Sequence, residues 1–186
     1  MAKIRTFIAV DLPQDIKMTL DGMIAPFRAD GAGVSWVRAE NLHITLRFLG
    51  DVEEDSIPGL VKHIKTDIYG FGKFELTISG LGGFPNLKTP RVIWADTSKG
   101  RDRLRDLATS VEMACIEAKF GRADKRFMAH LTIGRVKSPS GLNKLLVKVQ
   151  KTSFEAGPFE IGAVTIFKSD LSPAGPKYTP LEIIRL

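Results

Sequence analysis

Asn41-Leu42-His43-Ile44-Thr45-Leu46-Arg47-Phe48-Leu49-Gly50 is the stretch that decides the fold, because its core returns as Ala129-His130-Leu131-Thr132-Ile133-Gly134-Arg135-Val136. Both segments alternate polar and apolar residues, as a half-buried strand does. Side chains on a strand point to opposite faces in turn. His43 and Thr45 therefore share one face, with Ile44, Leu46 and Phe48 on the other. In the second copy His130 and Thr132 share a face opposite Leu131 and Ile133. Each strand offers an apolar side to a core and a His-Thr side to a cleft. The copies lie 87 residues apart and hold two of the chain's three histidines.

Around these strands the pattern predicts a mixed architecture. Residues 3–11 alternate as a strand, with Ile4, Thr6, Ile8 and Val10 on one side. Pro13 suits the first turn of a helix, and Ile16, Leu20, Met23, Ile24 and Phe27 continue it at helical spacing over 13–28. A short strand at 34–37 precedes the first His-Thr strand at 42–49, which Gly50 and Asp51 are expected to break. Glu53, Glu54 and Asp55 favour a helix N-terminus, and that helix runs to about Ile68 with His63 on its surface. Residues 73–79 alternate as a strand, Gly80 to Pro90 read as a loop, and 91–96 as another strand. Leu104, Leu107, Ala108, Val111, Ala114, Cys115 and Ala118 form the clearest helical stripe, which makes Cys115 a core residue. The second His-Thr strand spans 129–136, a short helix covers 141–150, and strands at 159–168 and 179–186 flank a loop at 172–176. Strands and helices without regular β-α-β alternation predict an α+β fold. The doubled motif predicts two pseudo-symmetric lobes, each an antiparallel sheet with helices outside, facing each other across a central cleft. The whole of 1–186 is expected to form one bilobal domain.

Composition narrows the function. No apolar run approaches the roughly 18 residues of a membrane span, so no membrane partner and a cytoplasmic location are expected. The N-terminal MAKIRTFIAVDLP alternates as a strand rather than reading as a signal peptide. The single cysteine excludes an intramolecular disulfide and a cysteine-based zinc site. The net charge of +6 favours an anionic partner such as RNA. The densest basic group, Lys119, Arg122, Lys125 and Arg126, stands just before His130.

Two histidines and two hydroxyls suit metal-free phosphate chemistry. Histidine is the side chain whose ordinary pKa lies near neutrality. A neutral imidazole can take a proton from water while an imidazolium gives one to a leaving oxygen. A threonine on the same strand face can donate to a non-bridging phosphate oxygen and stabilise the transition-state charge. Neither a Walker sequence nor a GxSxG elbow is present. Two histidines alone make a poor zinc site, so no metal and no cofactor are expected.

HITL and HLTI resemble the paired H-x-T-x motifs of the two-histidine phosphoesterases. RTFIAVDLP, WVRAENLHITLRFLG, GGFPNLKTPRVIWAD and FKSDLSPAGPKYTPL extend the resemblance, in collinear order, to the RNA 2′,3′-cyclic phosphodiesterases, also called 2′-5′ RNA ligases. The resemblance implies a bilobal α+β fold and hydrolysis of terminal 2′,3′-cyclic phosphates to 2′-phosphomonoesters. It implies His43 as proton donor, His130 as proton acceptor, and Thr45 and Thr132 as phosphate ligands. Arg135 follows the second motif but lies on the opposite face under strict alternation, and reaches a phosphate only if Gly134 disturbs the strand. Arg47 shares the His43 face and is a candidate RNA contact; Trp36 and Tyr178 are candidate stacking residues. The expected partner is an RNA with a 2′,3′-cyclic phosphate end, tRNA fragments among the candidates, met by a monomer. Competing readings are a 2′-5′ RNA ligase acting on tRNA halves, a phosphodiesterase on a small cyclic nucleotide, and a non-catalytic RNA-binding module.

Overall fold

The computed structural model describes residues 2–186. Its strands are β1 (Lys3–Asp11), β2 (Val34–Trp36), β3 (His43–Glu53), β4 (Phe74–Phe84), β5 (Val92–Lys99), β6 (Leu131–Val136), β7 (Glu155–Ile161), β8 (Ala163–Ser172) and β9 (Gly175–Arg185). Its helices are α1 (Gln14–Ala29), α2 (Ile57–Asp67), α3 (Arg101–Glu117) and α4 (Leu142–Lys151). The strands form two sheets, one ordered β3-β1-β8-β9 and the other β2-β6-β5-β4-β7. Every neighbouring pair is antiparallel. The α+β architecture with two antiparallel sheets is as expected.

The pseudo-symmetry lies in the units β1-α1-β3-α2 and β5-α3-β6-α4, each a strand, a helix, a His-Thr strand and a helix. The lobes nevertheless draw on both ends of the chain. β2 joins β6 in the second sheet, while β8 and β9 complete the first. The helices cover the outer faces: α2 and α3 pack together over β3 and β9, and α1 meets α4 and β7. Helix α1 inserts Ile16, Leu20, Ile24 and Phe27 into the core, all but Met23 of its expected stripe being buried. One apolar cluster runs through both lobes, from Ile8, Ile44 and Ile166 to Ile93, Leu131 and Val111.

Four local expectations are corrected. β3 runs on through Gly50 and Asp51 to Glu53. Leu49 is an extra residue there, since Thr6 pairs with Gly50 and Phe7 with Phe48. Gly50 has φ 76°, a value open to glycine, so it bends the strand instead of ending it. β4 likewise continues through Gly80, Gly82 and Gly83, the expected loop. Gly80 takes φ 79°, and the other two serve packing: a Cβ on Gly82 would overlap the Trp94 indole on β5, and one on Gly83 would crowd Pro90 and Asn86. The expected strand 159–168 is two strands, parted at Gly162, where the chain passes from the second sheet to the first. The loop at 172–176 is a tight turn between β8 and β9, paired from Ser172–Gly175 onward.

Candidate active site

His43 is the first residue of β3, and His130 immediately precedes β6. Both line one groove of about 800 Å³ together with Thr45 and Thr132. The structure thus brings the two sequence-predicted pairs together. The two rings are held alike. His43 Nδ1 lies 2.7 Å from the Asn41 carbonyl, and His130 Nδ1 lies 2.7 Å from the Met128 carbonyl. A carbonyl only accepts, so Nδ1 carries the hydrogen and Nε2 is the reactive nitrogen in both. Thr45 Oγ1 sits 3.0 Å from His43 Nε2 and donates to it while the ring is neutral. Aromatic rings wall each imidazole: Phe7 at 4.8 Å and Tyr178 at 5.3 Å from His43, Phe84 at 4.9 Å and Trp94 at 6.3 Å from His130.

This burial shifts the protonation equilibrium of both rings. Desolvation disfavours the charged ring and pushes both histidines below the ordinary value of 6.5. For His43 the Asn41 carbonyl and Asp11 oppose the shift, and Lys17 and Arg135 add to it. For His130 the Met128 carbonyl and Asp96 oppose it, and Arg135 adds to it. Burial also pushes the Tyr178 hydroxyl up, so the tyrosine stays neutral.

The arginines change places relative to strict alternation. Across β1 and β3, Ile8 pairs with Arg47 and Ala9 with Thr45, leaving Leu46 as an extra residue. The bulge turns Arg47 into the protein, where it is 8% exposed. There Nε lies 3.3 Å from Glu112 Oε2 on α3, and Nη2 donates to the Gly121 carbonyl at 3.1 Å. Arg47 is therefore no RNA contact, contrary to its assignment by alternation. Phe48 takes the groove side instead, 49% exposed, with the Arg5 guanidinium 4.6 Å from its ring centre. The second copy carries the same irregularity. Ile93 pairs with Gly134 and Trp94 with Thr132, so Ile133 is the extra residue and Arg135 swings to the groove. Gly134 is needed there because a Cβ would lie 2.8 Å from Val34 Cγ1 and 2.9 Å from Trp36 Cε3. The disturbance at Gly134, the condition for Arg135 to face the groove, is met.

Phe48 and Arg135 thus occupy equivalent positions, each three residues after its threonine. That matched spacing, H-x-T-x-x-F beside H-x-T-x-x-R, is the signal that could have found Phe48, which alternation placed on the apolar face. Arg5, Arg38 and Lys137 also line the groove and carried no such signal. Trp36 and Tyr178 line it as expected, though Trp36 also stacks on Phe27 at 5.8 Å. The basic residues 119, 122, 125 and 126 do not line it. With Arg5, Arg38, Arg135 and Lys137 in its walls and no carboxylate among the lining residues, the groove favours an anion. Among the described residues no group of three or more His, Cys, Asp or Glu side chains is placed to hold a metal ion.

Known proteins are similar to this chain in sequence and fold. RNA 2′,3′-cyclic phosphodiesterases of Methanothermobacter thermautotrophicus and Archaeoglobus fulgidus are 34% and 36% identical to the chain. The first match covers 99% of this chain and 100% of the relative, the second 96% and 98%. The crystal structure of Escherichia coli LigT complexed with 3′-AMP superposes with a TM-score of 0.79 at 25% identity, covering 100% of this chain and 99% of that one. A Thermus thermophilus structure does so with a TM-score of 0.70 at 29% identity, over 98% of each chain. The family model described as LigT like Phosphoesterase matches twice, over residues 10–94 and 96–178. Each match holds one His-Thr strand with its bulge, and the chain belongs to the LigT-like phosphoesterase family.

Proposed function

We propose that the protein hydrolyses the 2′,3′-cyclic phosphate at the end of an RNA to a 2′-phosphomonoester, without a metal. The observation that carries this reading is the pair of Nδ1-anchored imidazoles in one cationic groove. The names of the relatives support the same substrate. The groove would hold the cyclic phosphate between Thr45 and Thr132, with Arg135 on a non-bridging oxygen. His130 Nε2 takes a proton from water as its oxygen forms the new bond to phosphorus. The bond from phosphorus to O3′ breaks, and His43 Nε2, charged beforehand, gives its proton to O3′. One water is consumed, His43 ends neutral, His130 ends charged, and solvent restores both. The threonines and Arg135 stabilise the extra charge on the five-coordinate phosphorus. Phe48 offers an open ring face to the terminal base. Donor and acceptor roles follow the family resemblance.

The phosphate of a bound anion would favour the charged form of His43, which burial disfavours in the free protein. The continuous apolar cluster supports residues 1–186 as one bilobal domain. No helix among the described residues is long and apolar enough to cross a membrane, and an RNA substrate favours a cytoplasmic site of action. Ligation of tRNA halves would use the same groove with a 5′-hydroxyl in place of water. The test is incubation, in EDTA, with a short RNA ending in a cyclic phosphate. We expect a 2′-phosphate end, absent with His130→Ala; bound but unconverted RNA would overturn the hydrolase reading.

A further inference from the structure

Asn41 joins two parts of the groove that are distant in the chain. It closes the short 3-10 turn Ala39–Asn41 and is 8% exposed. Its main-chain carbonyl accepts the hydrogen of His43 Nδ1 at 2.7 Å. Its side-chain Nδ2 donates to the Pro176 carbonyl at 2.9 Å. Pro176 follows the β8–β9 turn and lines the groove. Arg38, at the other end of the same turn, donates from Nη2 to the Ala174 carbonyl at 2.8 Å. The segment 38–41 therefore straps the hairpin tip to the base of the first histidine. On its far side Lys17 Nζ donates to the Glu40 carbonyl at 3.2 Å and pairs with Asp11 at 2.6 Å. The second histidine has no such strap. Its acceptor is the carbonyl of Met128, a 56% exposed residue in the 119–130 loop whose side chain has no donor to tie.

We propose that Asn41 is a positioning residue that couples the seating of the β8–β9 hairpin to the orientation of His43. One hydrogen bond sets the ring's rotation, and the acceptor's place depends on the same residue's amide. If the Pro176 bond is lost, the 41–42 peptide keeps only the bond from Leu42 N–H to the Ala39 carbonyl at 3.1 Å, and the acceptor of Nδ1 is less firmly placed. Nε2 then leaves the line to the departing oxygen, and misplacements of about 1 Å cost on the order of 100-fold in rate. The coupling runs both ways. An anion on Nε2 fixes the ring, strengthens the Nδ1 bond and so holds the hairpin. The inference rests on His43 as a proton-transferring group, but its test observes the ring directly.

The experiment is nitrogen NMR of histidine-labelled protein, comparing the unaltered chain with Asn41→Ala and Asn41→Leu, the second keeping the side-chain bulk. Asp11 on β1, Lys17 on α1, Arg135 on β6 and Tyr178 on β9 face His43 and are unchanged in both variants. We expect His43 to become a mixture of tautomers and to titrate lower, while His130 keeps its tautomer and midpoint. On cyclic-phosphate RNA, kcat should fall about tenfold with KM altered less than about twofold. An unchanged His43 tautomer and midpoint in a folded variant would overturn the proposal. If both variants unfold, the unaltered chain decides. Saturating inorganic phosphate should slow deuterium uptake at residues 172–178, and unslowed uptake would overturn the coupling. Absent turnover in the unaltered chain, together with a His43 ring that responds to Asn41, would refute the hydrolase reading and leave the positioning role standing.

Discussion

At the scale of residues, two arginines near the His-Thr motifs have opposite fates, and their variants should separate accordingly. Arg135 lines the groove and Arg47 is buried against Glu112. Arg135→Ala should lower kcat about 100-fold, the usual effect of losing one charge-stabilising group, with little change in melting temperature. Arg47→Ala leaves Glu112 without its partner and should cost about 2 kcal/mol or more, with kcat within about threefold below the melting point. Matched calorimetry and kinetics would show whether the two variants separate. The histidines set the pH dependence. The productive free protein has His43 charged and His130 neutral, and both rings titrate below 6.5 because they are buried. That state is most populated midway between the two values, so kcat/KM should peak on the acid side of 6.5. A peak above pH 7 would contradict the assignment. Stability has a related sign. The unfolded chain binds more protons than the folded one in the window just below 6.5, so the melting temperature should fall as pH drops through it.

At the scale of elements, the bulges decide which side chains meet the substrate. His43, Thr45, His130 and Thr132 were legible in the sequence because they precede the extra residues Leu46 and Ile133, where alternation still holds. Arg47 and Phe48 come after one and were assigned to the wrong faces. A bulge is a mismatch between two strands, here Ile8-Ala9 against Thr45-Leu46-Arg47, and one strand's pattern cannot display it. The glycines of β4 misled for a similar reason. Gly82 is required by Trp94, which approaches from the neighbouring strand, and Gly83 by Pro90 and Asn86 beyond the strand's end. Helices were easier to place, since α3 carries its apolar stripe within itself. Two alanine substitutions test this account. Gly134→Ala pushes a methyl against Val34 and Trp36 and should cost about 1–3 kcal/mol, with a loss of activity as Arg135 is displaced. Gly22→Ala, inside α1 with nothing within 4 Å, should add about 0.5–1 kcal/mol of stability and leave kinetics alone. Thermal melts with opposite signs are the expected result.

At the scale of the whole molecule, charge and connectivity matter most. The groove's cations should make KM rise with salt while kcat stays level, with a logarithmic slope of about 0.7 for each RNA phosphate engaged. A flat salt response would place RNA elsewhere. One bilobal unit should also melt as one. Fluorescence from Trp36 and Trp94, both in the second sheet, should report the same midpoint as far-ultraviolet dichroism of both sheets. The passage at Gly162 has a consequence for synthesis on the ribosome. β1 lacks its neighbour β8 until residues 163–172 have left the exit tunnel, and the groove wall around Tyr178 emerges with the last strand. A nascent chain carrying both histidines still lacks the hairpin wall of the groove, so the complete groove arises only once β9 has been translated.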